Sequence, residues 1–183
     1  MSEISSYGLA LQFSRSFFIF LCLSPSFVAI AGGHTIQGRI VGVHDGDSVT
    51  LLDATNRQYK VRLDGIDAPE LGQTFGRASK ASLSRLTFRR EAIAKCGKVD
   101  RYRREVCSLH VAGTDAGLAQ VEAGMAWYFR RYEKELTAER RQANEQAEKQ
   151  ARDNRKGLWI EVSPVAPWDW RAAKRRGHVL TGV

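Results

Sequence analysis

The sequence predicts an α+β domain. Three observations carry this: short alternating segments early in the chain, a helical stretch set among them, and a long amphipathic helix near the end. Strand patterns run over residues 35–43, 48–52 and 57–63, with Gly, Asp and Asn between them, as in an antiparallel meander. A small barrel is one way for such a meander to close. A helix is expected over residues 76–88, where Ala78, Ala81, Leu83 and Leu86 recur at mixed helical spacings. Two more strands fall at 96–99 and 106–111, joined by the charged connection from Asp100 to Glu105. A second helix fits 114–123, with Thr114 or Asp115 as its cap and Gly124 as its stop. A third spans 136–154, with Ala143, Ala147 and Ala151 on one face, and Gly157 ends it. Leu158 and Trp159 read as a hydrophobic plug, and residues 161–183 as a basic tail. No internal repeat is present.

A chain of 183 residues, 43% hydrophobic and 26% charged, holds one ordinary globular domain. The first 31 residues differ in character: Arg15, then an apolar run from Ser16 to Leu23, then small residues with Ala29 and Ala31 in an A-x-A arrangement. That order is expected of a secretory signal cleaved after Ala31. A membrane anchor is the alternative, but Pro25 breaks the stretch and it falls short of the roughly 20 apolar residues of a spanning helix. The expectation is therefore an exported protein, periplasmic or secreted. Its net charge of +8 favours a polyanionic partner, although an anionic membrane surface would serve the same charge. Cys96 and Cys107 remain after cleavage, and an even pair in an exported chain points to a disulfide, with two buried free thiols as the alternative.

Three clusters carry chemistry: Asp45-Gly46-Asp47-Ser48-Val49, the run from Val61 to Glu70, and Asp100-Arg101-Tyr102-Arg103-Arg104. Phosphodiester hydrolysis needs a base to orient water, cations to balance charge on the phosphoryl oxygens, and often a metal. Asp, Glu and Arg supply all three. Each cluster alone has a plainer reading: a tight turn, a strand leaving into a Pro-fixed turn, and a solvated loop. The first is not an EF-hand loop, because Val49 and Asn56 stand where that loop needs ligands.

Taken together in order and spacing, the clusters resemble the thermonuclease (staphylococcal nuclease-like) family, whose signatures are D-G-D-[ST], V-R-L-x-G-I-D-x-P-E and D-x-Y-G-R. The resemblance extends over residues 36–159, through L-A-Q-V-E-A-G-M-A-W at 118–127 and K-G-L-W at 156–159. It implies an OB-type five-stranded β-barrel with three helices, cleaving DNA and RNA with Ca2+, single-stranded or locally opened substrate preferred. By position, Asp47 and Asp67 resemble the carboxylate ligands of Ca2+, and the main-chain carbonyl of Ala68 a third ligand. Glu70 matches the general base, Arg62 and Arg104 the pair on the scissile phosphate, and Arg101 and Tyr102 the contacts to the bound nucleotide. Ca2+ suits this set, being a hard ion with flexible oxygen coordination.

Two positions depart from the family pattern. Ala68 replaces a hydroxyl residue, which is harmless if only its carbonyl serves. Arg103 replaces a Gly that would be free to take positive φ, so the loop geometry is expected to be strained and a register using Arg103 in place of Arg104 stays open. His34, His44, His110 and His178 make no ligand spacing, and Trp127, Tyr128, Phe129 and Tyr132 are expected to pack the fold. A non-catalytic OB-fold nucleic-acid-binding module and a basic envelope-associated structural protein are the competing readings; the former lacks a reason for the full acid and arginine set, the latter for the three clusters.

Overall fold

Residues 33–177 are described by a computed structural model; the signal expected over residues 1–31 and His178 lie outside them. In chain order the elements are β1 (His34–Val43), β2 (Ser48–Leu52), β3 (Gln58–Leu63), β4 (Ile66–Asp67), α1 (Gly76–Thr87), β5 (Glu91–Val99), β6 (Glu105–Val111), β7 (Thr114–Asp115), α2 (Ala116–Glu122), β8 (Trp127–Tyr128), α3 (Ala138–Asp153) and α4 (Pro167–Arg175), with 3-10 turns at Arg130–Glu135 and Gly157–Ile160. Period-two alternation makes the strands. Along β5, Ala92, Ala94 and Cys96 are buried while the residues between them are exposed.

Five strands close into a barrel. The antiparallel order is β3-β2-β1-β5-β6, and β6 returns to pair in parallel with β3, placing Arg62 opposite Val106 and Leu63 opposite Cys107. Closure removes the sheet edges that would otherwise bond to other chains. β1 serves two neighbours, β5 along its first half and β2 along its second, and a register irregularity between Ile40 and Gly42 marks where it bends. Ile40, Val49, Leu51, Val61, Leu63 and Leu109 fill the interior. This is the OB-type α+β barrel the resemblance implies.

The helices follow the expected spans with one difference of face and one addition. α2 starts on Asp115, whose carboxylate accepts the N–H groups of Gly117 and Leu118 at 2.9 and 3.2 Å, and the chain turns at Gly124, φ 65°. α3 is capped by Thr137 and buries Ala147 and Ala151. α1 buries Gly76, Ser79, Leu83 and Thr87, whereas Ala78 and Ala81 face solvent. The reason is close approach: a methyl group at Gly76 would overlap the carbonyl of Glu70, so the inward face takes small residues.

The segment read as a basic tail forms a fourth helix, α4, against the domain. Pro167 stands at its N-terminus, where its missing N–H costs nothing. Trp168 packs on Trp127 and Phe129, with ring centroids 5.6 and 5.3 Å apart, and Ala173 is buried. This aromatic cluster, which includes Trp159, is the physical reason the segment is ordered.

Cys96 and Cys107 lie directly opposite in the β5–β6 ladder and are joined as a disulfide. The bond spans 11 residues and closes the loop that carries Asp100 to Arg104. The chain-entropy model gives about 3 kcal/mol for a loop of this order. Replacing both cysteines by Ala is therefore expected to lower stability by about that amount in urea denaturation, and thiol titration of the unfolded, unreduced protein should find neither Cys96 nor Cys107 free.

Candidate active site

The turn between β1 and β2 places the first acid. Asp45 accepts the N–H of Asp47 at 3.0 Å, an Asx turn, and the Gly46 carbonyl accepts Nε2 of buried Gln120 at 2.8 Å. A methyl group at Gly46 would overlap Ser79 of α1 and Ala68, so only Gly lets the turn sit this deep. Asp47 is consequently 4% exposed. Its Oδ1 accepts Ser48 Oγ–H at 3.0 Å and its Oδ2 accepts the Ala68 N–H at 2.8 Å.

β3 supplies the arginine between the acids. Arg62 lies opposite Ser48 in the β2–β3 ladder, beside Asp47. Its Nη1 pairs with Asp47 Oδ2, and its Nη2 donates to Asp67 Oδ1 at 2.8 Å. Asp67, on β4, is 1% exposed. One planar fork thus spans two buried carboxylates. Burial pulls the Arg62 pKa below its ordinary value, Asp67 opposes that shift, and the nearby charge of Arg104 adds to it. Two arginines crowding each other beside an acid pair is an arrangement suited to an anion.

Glu70 follows Pro69 at the rim with its side chain 41% exposed. Gln73 fixes the loop, its N–H bonding the Glu70 carbonyl at 2.8 Å and its Oε1 accepting the Glu70 N–H at 3.2 Å. Arg104 reaches the site from the β5–β6 loop. Asp100 binds it twice, accepting its Nε–H at 2.8 Å and Nη2 at 2.7 Å, and also accepts the N–H groups of Tyr102 and Arg104. Burial alone would raise the Asp100 pKa, but these hydrogen bonds and the Arg104 charge hold it below the usual carboxylate range. Arg104 Nη1 lies 3.4 Å from Ser48 Oγ, next to Asp47. Arg103 points into solvent and has φ 62°, the left-handed conformation a Gly would adopt without strain. Tyr102 is 63% exposed at the loop tip, with the guanidinium groups of Arg101 and Arg104 over its ring at 4.8 and 5.4 Å.

The structure therefore gathers Asp47, Arg62, Asp67, Ala68, Glu70 and Arg104 at one rim, with Arg101 and Tyr102 at its outer edge. It also adds residues that sequence reasoning missed, and gives Ser48 of the first cluster a bond to Asp47. Gln120 pins the Asp45–Asp47 turn through the Gly46 carbonyl, Gln73 holds the Glu70 backbone at two points, and Arg171 of α4 pairs with both Asp67 and Glu70. Burial works against the Arg171 charge, yet its bonds to these two carboxylates outweigh it and raise the pKa. Basic residues after position 160 were the signal that could have found it. His34, Cys96 and Glu105 also come within ligand range of one another, but the Cys96 sulfur is in the disulfide and offers no thiolate.

A closed five-stranded barrel with buried carboxylates and arginines gathered at one rim defines a phosphodiesterase of the OB-barrel class. Residues 60–161 match the family model described as staphylococcal nuclease homologue. The chain is 37% identical over 158 residues to a micrococcal nuclease of Shigella flexneri, covering 81% of this chain and 87% of that one. It is 36% identical over 138 residues to an uncharacterized endonuclease of Haemophilus influenzae, covering 75% and 74%, and 32% identical over 158 residues to the protein ParB of Escherichia coli, covering 81% and 86%. The chain belongs to the staphylococcal nuclease family and is a nuclease.

Because Arg103 occupies a left-handed position, which costs a non-Gly residue about 1 kcal/mol or more, Arg103→Gly is expected to relieve strain. Thermal melting should show a variant at least as stable as the parent, with cleavage retained, whereas Arg104→Ala should lose most turnover. The opposite pattern would assign the phosphate contact to Arg103.

Proposed function

We propose that this nuclease hydrolyses phosphodiester bonds of DNA and RNA with Ca2+, single-stranded or locally opened substrate preferred, using Glu70 as general base and Arg62 and Arg104 on the scissile phosphate. The observation that carries the reading is the single Arg62 fork joining Asp47 and Asp67, which brings two buried carboxylates within reach of one small cation, with Glu70 three residues beyond. The donor set fits the ion: it is all oxygen, hard and anionic, and the nearby rim is open to solvent. Asp47, Asp67 and the Ala68 carbonyl would hold Ca2+, which when bound supplies Lewis-acid polarisation of a phosphoryl oxygen.

The chain's own residues account for the remaining steps. Glu70, at the exposed rim, takes a proton from the attacking water as the new P–O bond forms, while the P–O bond to the departing nucleotide oxygen breaks and that oxygen takes up a proton from solvent. The guanidinium groups of Arg62 and Arg104 balance charge on the phosphoryl oxygens, an interaction that strengthens as that charge develops. Asp100 holds Arg104 in place for this role. At the loop tip, Tyr102 offers a ring face for a base, and Arg101 a further phosphate contact. The net charge of +8 draws the polyanion in. Export fits the disulfide, since such bonds persist in oxidising compartments.

Cleavage of denatured DNA is expected to stop in excess chelator and to return with Ca2+, while Mg2+ should substitute poorly because it demands near-octahedral geometry. Undiminished cleavage in chelator would remove the metal from the reading, and binding without any cleavage would favour the non-catalytic module.

Glu70→Gln keeps size and hydrogen bonding but removes the base. Turnover should fall about 100-fold or more with little change in substrate affinity, as measured by single-turnover kinetics and equilibrium binding.

A further inference from the structure

Arg171 stands among the groups the proposed chemistry needs free. Its Nη2 lies 2.6 Å from Asp67 Oδ2 and its Nη1 3.3 Å from Asp67 Oδ1, while Nη1 is also 2.8 Å from Glu70 Oε1. Together with Arg62, it engages both oxygens of Asp67. A divalent cation held by Asp67 would meet the Arg171 guanidinium at close range, where like charges repel. Glu70 Oε1, held by the guanidinium, is likewise occupied where an attacking water would bond.

The placement of Arg171 is set by the fold. α4 has nine residues, too few to persist as an isolated helix, so its docking determines where Arg171 goes. On one side Trp168 packs against Trp127 and Phe129. On the other, the Gln73 side chain donates to the Val165 carbonyl just before α4, and the same Gln73 holds the Glu70 backbone. The helix and the Glu70 loop are therefore one packed unit, with Arg171 at its charged contact.

We infer that Arg171 is a positioning residue of the cation and base site: it occupies Asp67 and Glu70 until a divalent cation displaces it, and so sets how tightly that cation binds. The inference rests on the Ca2+ reading above. It makes α4 a part of the active site that loosens on cation binding, and the exchange weakens the site's affinity relative to an unobstructed acid pair.

Calorimetric titration of Ca2+ alone into the full chain, without nucleic acid, tests this. Arg171→Gln is expected to bind Ca2+ about tenfold more tightly than the parent, a change of about 1.4 kcal/mol, because the ion no longer has to displace a guanidinium from Asp67. Arg171→Lys, which keeps the charge but not the fork, should restore most of the parent's weaker binding. Trp168 and Trp170 precede Arg171 on the same helix, so Ca2+ should also change the parent's tryptophan emission with the calorimetric midpoint. If Arg171→Gln does not fold, Trp168→Ala loosens α4 without touching the carboxylates and should tighten binding in the same direction. Equal or weaker Ca2+ affinity in the folded variants, with binding still abolished by Asp67→Ala, overturns the role of Arg171 and leaves the Ca2+ reading standing. No saturable binding in any variant overturns both.

Discussion

The fork of Arg62 between Asp47 and Asp67 is the interaction on which the rest depends. Asp47 and Asp67 are nearly inaccessible, and a buried carboxylate is costly unless a positive charge is paired with it. Arg62 provides it from β3, the strand on which the barrel closes, hydrogen-bonded to β2 on one side and β6 on the other. The pairing that seals the barrel is therefore also the pairing that aims the guanidinium. A change that opened the β3–β6 seam would lose the acid pair along with the fold.

The same coupling of architecture to site recurs at the other two clusters. Gly46 allows the first turn to press against Ser79 and Ala68, which brings Asp47 inward, and Gln120 pins that turn from α2. The β5–β6 loop is held at its base by the disulfide and at its tip by four hydrogen bonds or ion pairs to the Asp100 carboxylate. That many anchors can hold Arg103 in a left-handed conformation, with the strain offset elsewhere in the loop. Arg104 is then delivered toward Ser48 from a loop remote in sequence from Asp47.

What was legible in the sequence was what is local. Strand alternation, the Asp115 cap and the Gly124 turn depend on neighbours within a few residues, and they appear where the pattern placed them, except that β5 begins at Glu91 rather than at 96. The three clusters were legible because each lies on one short segment, and because their joint order resembles a family even though Asp-Gly-Asp alone reads as a turn. The inward face of α1 was not legible, since Gly76 and Ser79 are buried for their small size against a carbonyl and a turn from elsewhere. Gln73 and Gln120 left no pattern, because a buried amide that satisfies main-chain atoms carries no periodic signal. α4 was missed for the same reason on a larger scale: Trp168 finds Trp127, and Arg171 finds Asp67, across 104 residues in the latter case.

Charge compensation runs through the whole rim. Asp47 and Asp67 share Arg62, Asp67 and Glu70 share Arg171, and Asp100 holds Arg104, so each acid of the site already carries an arginine. Binding of a polyanion here is an exchange of partners, since every guanidinium that turns to a phosphate leaves a carboxylate behind it. A buried carboxylate stripped of its arginine is costly unless another positive charge replaces it. On the proposed function, phosphate binding and cation binding would therefore be linked at this rim: the carboxylates that release the arginines to the substrate are the groups that would accept the ion. An arrangement of this kind pairs every acid of the rim in the absence of either ligand, and on the function proposed above the joint arrival of both would free Glu70 and turn Arg62 and Arg104 to the phosphate.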